Sequence, residues 1–287
     1  MIDRYLLRYF LAVVDCGTFS RAATHSNVTQ PTLSIGIAKL EATLGARLFF
    51  RSSQRVHLTE AGAKLVPYAR RIEAEFNQAI TAVTGHDSAR IWRIGLLSTI
   101  NAATMTQVIE TLRRNGAPDR VEIVDGNERE LNQRLMRGRI DIALSIVRAD
   151  DNRFLGEVLK TEGYAMALPL NHPLAGQKML QPESLANDVM IVRRNCEVLT
   201  DTSRYFTERG IRPFFAYRTT NDERANAFVR AGLGITLMPE SHAAEGVALV
   251  PLAGFTLTRS IGILYASHAE TLREHPSSIL TAIRRMV

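Results

Sequence analysis

Cysteine is nearly missing from this 287-residue chain: Cys16 and Cys196 are the only two, and they lie far apart. Such a pair makes neither a disulfide framework nor a zinc spacing, and it suits a reducing compartment. Long apolar runs are missing too. No uncharged stretch approaches the roughly 20 residues that span a bilayer, and the apolar run Tyr9 to Val14, ended by Asp15, is too short for a secretory signal. No membrane partner is expected, and a cytoplasmic location is. A P-loop, an H-E-x-x-H pair, a G-x-S-x-G elbow and a glycine-rich dinucleotide fingerprint are all absent. The seven histidines are scattered without ligand spacing. The expectation is a protein that is not an enzyme, with no catalytic residues, no metal and no cofactor.

What is present is an ordinary globular balance, 46% hydrophobic and 22% charged. The length suits about two domains, with a core that needs no disulfides. The net charge of +6 is unevenly spread: residues 1–59 carry seven basic and three acidic side chains, so four of the six excess charges sit there. That asymmetry predicts a basic N-terminal module on a nearly neutral body.

Leu6, Leu7, Phe10, Leu11 and Val14 fall at helical spacing, which predicts a helix over residues 3–16, stopped by Gly17. Ser20 is placed to cap a short second helix, and Asn27 and Val28 make a tight break. Thr29 is placed to cap a third helix, with Pro31 in its first turn, Leu33, Ile37, Leu40 and Leu44 on one face, and Gly45 at its end. Short helix, tight turn and longer helix is the helix-turn-helix pattern. Its third helix offers Thr29, Gln30, Thr32 and Ser34 at the end that would enter a major groove, where Gln reads adenine and Thr meets a thymine methyl. Leu48 to Leu58 reads as two short strands with Arg51 and Arg55 near the tip, a wing for phosphates or the minor groove. Three small helices with an apolar face also fit a protein-binding or dimerisation module, and Thr29 also fits a plain helix cap.

A long helix follows from Glu60. Leu65, Ala69, Ile72, Phe76, Ala79 and Val83 lie near three-and-four spacing, which favours a helix–helix seam, and residues 84–88 read as a hinge. Beyond it, strand and helix signals alternate: strands at 93–97, 121–124 and 140–147, helices at 102–114 and 128–138. More strands follow at 164–168, 189–192, 214–217, 234–238 and 261–265, with helices at 200–209, 221–231 and from 269. The pattern predicts an α/β body in two lobes. Ligands in open α/β sheets bind beyond the carboxyl ends of strands. Ser98, Thr99 and Ile100 hold such a place in the first lobe, where hydroxyls and helix N-terminal amides suit an anion or carboxylate. Asn195, Cys196, Thr219, Thr220 and Asn221 hold comparable places in the second, and Ser145 and Ile146 are placed at a cleft floor. Ser98, Thr220 and Asn221 serve equally well as helix caps.

Phe19-Ser20-Arg21-Ala22-Ala23, Val28-Thr29-Gln30-Pro31-Thr32-Leu33-Ser34, Lys39-Leu40-Glu41, Leu44-Gly45, Arg47-Leu48-Phe49 and Leu58-Thr59-Glu60-Ala61-Gly62 resemble the N-terminal signature of the bacterial LysR-type transcriptional regulators. The resemblance continues, more weakly, through Gly126-Asn127, Arg137 to Ala143, His172-Pro173-Leu174, Ala231 to Ile235 and Met238-Pro239. It implies a winged helix-turn-helix DNA-binding domain at residues 1–59 and a dimerising linker helix with hinge at 60–89. At 90–287 it implies an effector-binding domain resembling periplasmic binding proteins. Lobe I is expected at about 90–162 and 266–287, and lobe II at about 163–265. Gln30, Pro31, Thr32 and Ser34 would lie along the DNA groove, and Ser20 and Arg21 of the motif join that set. The partners implied are promoter DNA, a small-molecule effector, a second copy in a homodimer or homotetramer, and RNA polymerase. In one departure, Ile35 and Gly36 stand where the family commonly has a basic and then a polar residue; Ile35 would touch a thymine methyl instead.

Cys196 falls where peroxide-sensing members of the family carry their reactive cysteine. Arg193 and Arg194 nearby favour a thiolate, while a resolving thiol is missing, because Cys16 lies in the first helix. Two alternatives therefore stand beside an effector-responsive regulator: a thiol- or peroxide-responsive regulator using Cys196, and a sensor or solute-binding protein whose N-terminal module binds protein.

Overall fold

The computed structural model describes residues 2–50, 56–84, 91–114, 120–274 and 276–286. Three helices open the chain: α1 (Arg4–Cys16), α2 (Phe19–His25) and α3 (Gln30–Leu44). Asp3 caps α1 by accepting from the Tyr5 amide at 2.9 Å, and Gly17 ends it in the left-handed region at φ +72°. α2 is capped by Thr18, which accepts from the Arg21 amide, and not by Ser20. Thr18 has the extended backbone a cap requires, whereas Ser20 already lies inside the helix. Asn27 takes φ +53° in the break before α3. Phe10, Leu33 and Leu40 are fully enclosed between these helices, each burial contributing about 1.5–3 kcal/mol.

The wing begins and ends as expected: β1 (Phe49–Phe50) pairs antiparallel with β2 (His57–Leu58), Phe49 opposite Leu58. Phe49 closes the core against Phe10 and Phe19, with ring centroids 5.3 and 5.8 Å apart. Arg51 and Arg55, expected at the wing tip, lie outside the described residues, as does most of the expected hinge at 84–88.

The long helix is α4 (Glu60–Thr84), and Thr59 opens it by accepting from the Gly62 amide at 3.0 Å. Twenty-five residues make it about 37 Å long. Val66, Ala69 and Arg70 are buried, while Ile72, Phe76 and Val83 are exposed. Asp15 at the end of α1 accepts from Arg70 at 2.5 Å and from Arg93 of the body at 3.0 Å, which ties the three parts of the chain together.

The body has two lobes. In the first, β3 (Ile91–Leu97), β4 (Arg120–Gly126), β5 (Ile142–Ile146), β6 (Leu155–Glu162) and β12 (Arg259–Tyr265) form a sheet ordered β4-β3-β5-β12-β6. The β4-β3-β5 part is parallel, and β12 runs antiparallel to both β5 and β6. Helices α5 (Ala102–Arg114), α6 (Glu128–Met136) and the C-terminal α9 (Ser278–Met286) complete it. In the second lobe, β7 (Tyr164–Pro169) is flanked by β10 (Thr236–Pro239) and β11 (Val247–Pro251), while β8 (Met190–Arg193) pairs in parallel with β9 (Phe215–Thr219). A bridge from Met190 to Ile235 joins the two pieces. Helices α7 (Leu199–Glu208) and α8 (Asp222–Arg230) complete this lobe.

β12 lies in the sheet of the first lobe, so that lobe regains the chain at Arg259 rather than at 266. β6 and β11 were not foreseen as strands. The chain crosses between lobes twice, at Gly163 between β6 and β7, and again between β11 and β12. Both crossings lie beside the cleft.

Candidate DNA interface and interlobe cleft

The N-terminal end of α3 presents Gln30, Pro31, Thr32 and Ile35 to solvent, with Ser34 half-buried. Thr29 caps the helix, accepting from the Thr32 amide at 3.3 Å, and the two threonine hydroxyls lie 2.8 Å apart. Ser20 on α2 donates to Gln30 Oε1 at 2.9 Å. That bond holds the amide by one lone pair of its oxygen and leaves the second lone pair and the N–H2 for a base, the acceptor-and-donor pair that adenine N6 and N7 require. Arg21, Lys39 and Arg47 are exposed around the same helix. Gly36 is buried, and a Cβ there would sit 2.7 Å from the Tyr9 ring of α1. The close crossing of α1 and α3 therefore accounts for the glycine at that position. Ile35 beside it is 69% exposed, so its side chain is free to meet a thymine methyl.

The cleft residues are only partly where the sequence placed them. Ser98, Thr99 and Ile100 follow β3 as expected, and Asn195 donates across the cleft to Ser98 Oγ at 3.0 Å. Thr219 accepts from the Asn221 amide at 3.0 Å, and Asn221 caps α8 by accepting from Arg224 at 2.8 Å. Between the lobes lies a cavity of about 520 Å³, to whose lining Ser98, Ile100, Thr220 and Asn221 contribute. Its wall also carries Asp125, Glu223 and Glu245 against Arg230. Ser145 and Ile146 do not line it. All five residues of β5 are buried, and they are locked into the sheet opposite Gly262 and Ile261.

Cys196 does not line that interlobe cavity. It borders a larger cavity, about 970 Å³, inside the second lobe beneath α7, beside Met166, Met190, Phe206 and Leu237. Burial pushes its thiol pKa up despite the opposing charge of Arg193. Arg193 is itself committed: Nε donates to Asp222 at 2.8 Å, Nη2 donates to the same carboxylate, and Nη1 donates to the Leu237 carbonyl at 3.0 Å.

Sequence reasoning missed the group that joins the lobes. Arg259, at the start of β12, donates through Nε to Glu162 at 2.8 Å, through Nη2 to the Thr99 carbonyl at 3.1 Å, and through Nη1 to Thr99 Oγ1 at 3.1 Å and Glu197 at 3.0 Å. Thr99 Oγ1 donates to Glu197, and the Tyr164 hydroxyl donates to the same carboxylate at 3.3 Å. Burial and the Glu197 charge push the tyrosine pKa far up, so it remains a donor. Glu162 also accepts from the Ser241 amide and hydroxyl, at 2.8 and 3.0 Å, and the Ser241 carbonyl accepts from Asn101 at 3.0 Å. Burial disfavours the charged form of Glu162, but Arg259 and Ser241 outweigh it and hold its pKa below the ordinary range. The available signal was positional: Glu162 and Arg259 end and begin strands at the two crossings, and Glu197 follows Cys196 directly.

No group of three or more metal-ligating side chains occurs among the described residues. No helix there is long and apolar enough to cross a membrane.

Two family models match the chain: "Bacterial regulatory helix-turn-helix protein, lysR family" over residues 5–63 and "LysR substrate binding domain" over residues 85–275. The DNA-binding transcriptional dual regulator OxyR of Escherichia coli is 28% identical over 97% of this chain and 93% of its own length. A hydrogen peroxide-inducible genes activator of Pectobacterium carotovorum is 27% identical over 97% and 98%. Among solved structures, a full-length OxyR variant from Pseudomonas aeruginosa has the same fold, with a TM-score of 0.76, 22% identity, and coverage of 99% of this chain and 95% of its own.

Proposed function

Because the chain belongs to the LysR family and is a DNA-binding transcriptional regulator of that type, we propose that α3 reads promoter bases through Gln30 and that the cleft between the lobes sets how the DNA is held. The observation that carries the reading is the exposed start of α3, with Gln30 oriented by Ser20 on a basic module. Regulators of this family act as oligomers. The exposed positions Ile72, Phe76 and Val83 on α4 supply an apolar stripe for a second copy, and the two-fold symmetry of such a pair calls for half-sites separated by whole helical turns. A small molecule bound between Ser98 and Asn221 shifts the arrangement of the pair only by favouring one lobe geometry over the other. Bound beside a promoter, the oligomer acts on RNA polymerase. The reading of the N-terminal module as a protein-binding unit gives way to this one.

The test is base discrimination. Gln30→Ala should lower affinity for the specific site by about 1–3 kcal/mol and leave binding to scrambled DNA nearly unchanged in a mobility-shift titration. Equal loss on both DNAs would show that Gln30 reads no base.

A second reading, peroxide sensing at Cys196, is favoured by the names of the relatives. The local chemistry works against it: burial keeps the thiol protonated, and the thiolate is the reactive form. Mass measurement after peroxide exposure decides between the two. Rapid oxidation of Cys196 at low peroxide supports sensing, and an unmodified thiol removes it.

A further inference from the structure

The cleft contains a position built for a carboxylate, and the chain fills it from within. Glu197 lies between β8 and α7, so its backbone belongs to the second lobe. Its carboxylate reaches the first lobe, where Thr99 and Arg259 both donate to Oε1, while the Tyr164 hydroxyl donates to Oε2. Thr99 is fully buried, Arg259 is 3% exposed, and the Glu197 side chain is 6% exposed. Glu162 and the Thr99 carbonyl hold the other edge of the guanidinium, which fixes Nη1 toward Glu197. Two hydroxyls and one guanidinium N–H converging on a dry point are what a free carboxylate needs.

The charge balance argues that this is more than a lobe fastener. Glu162 already neutralises Arg259, and the more distant cations Arg193 and Arg148 are paired with Asp222 and Glu128, so Glu197 adds a buried carboxylate to cations that each have one already. A neutral amide in its place would fasten the lobes with less desolvation. The groups facing the position are donors, and Thr99 Oγ1 already accepts from Arg259, so the position favours an anion.

We propose that Glu197 is a tethered ligand. Its carboxylate occupies the anion position at Thr99 and Arg259, holds the lobes together without an external molecule, and excludes free monocarboxylates from that position in the native chain. The inference rests on the reading of this cleft as the sensing site.

Glu197→Ala removes one CH2COO⁻ unit, which acetate replaces atom for atom. Full-length wild type and variant are melted in sodium acetate, in sodium chloride of equal ionic strength, and in acetamide. Acetate should raise the melting temperature of Glu197→Ala by about 3 °C and leave wild type unmoved, and acetamide should move neither. Adding Thr99→Val to the variant should abolish the acetate shift. Glu197→Gln should gain no shift, because its amide still fills the position. An acetate shift that is absent from Glu197→Ala, matched by acetamide, or equal in Glu197→Gln overturns the proposal. If the alanine variant is recovered unfolded, refolding yield becomes the readout: acetate must restore it and acetamide must not, and failure overturns the proposal equally. The DNA footprint is read separately. A footprint indifferent to acetate in a variant that binds it removes the coupling between cleft and DNA and leaves the tethered ligand standing.

Discussion

His242 sits 3.6 Å from Asp222 in a pocket that also holds Arg193, with Arg259 and Glu162 further along the same buried network. Burial first, then the charge of Arg193, pushes its pKa down to about 4, against the opposing pull of Asp222 and Glu162. In the unfolded chain the same imidazole titrates near 6.5. The folded protein therefore keeps His242 neutral, and below pH 6.5 protons favour the unfolded chain. Its contribution is complete above 6.5 and is lost as the pH falls to about 4, a loss on the order of 3 kcal/mol. Glu162, held low by Arg259, adds a further loss below its ordinary value of 4.5. Melting temperature against pH should show this fall, and His242→Gln should flatten its upper part; parallel curves for the two proteins would contradict the assignment. None of this network was legible in the sequence. Glu162, Arg193 and Arg259 are charged, and a charged residue is read as solvated until a partner from a distant segment is known. The groove residues of α3 were legible because capping and exposure there follow from local spacing.

α4 shows what an element reveals and what it hides. Its start, its length and its apolar stripe follow from Thr59 and the spacing of Leu65 to Val83. Leu65 and Ala69 of that stripe pack within the chain beside Val66, whereas Ile72, Phe76 and Val83 face outward. Phe76, which carries the Arg4 guanidinium 4.6 Å above its ring, is 46% exposed. Phe76→Glu should shift the protein toward monomer in sedimentation velocity without changing its helical content; an unchanged oligomer would place the seam elsewhere. β6 escaped notice for a different reason. It is an edge strand whose exposed and half-buried positions do not alternate, and its register on β12 slips between Ile261 and Gly262. Gly262 permits the close approach, since a Cβ there would meet the Glu157 carbonyl at 2.0 Å. Such a bulge erases the two-residue period by which strands are recognised.

At the scale of the molecule, alternation of strands and helices was enough to foresee two lobes, but not the return of β12 to the first. A strand's neighbours are set by long-range pairing, which the local pattern does not carry. The tie between domains is likewise invisible from sequence: Asp15 of α1 receives both Arg70 of α4 and Arg93 of β3. Arg70 is 7% exposed, so Asp15→Ala leaves a buried guanidinium without its carboxylate and should cost about 3–5 kcal/mol, read as a lower midpoint in urea. An unchanged midpoint would mean that the domains do not rest on this contact in solution. The regulator's function depends on DNA recognition by its basic N-terminal module. The most direct measurement is binding of the purified protein to DNA flanking its own gene and to scrambled DNA of equal length, across a salt series. Retention of the flanking fragment at salt that releases the scrambled one is the predicted result. Equal affinities that fall together with salt, across fragments covering the genome and with candidate effectors present, would contradict it.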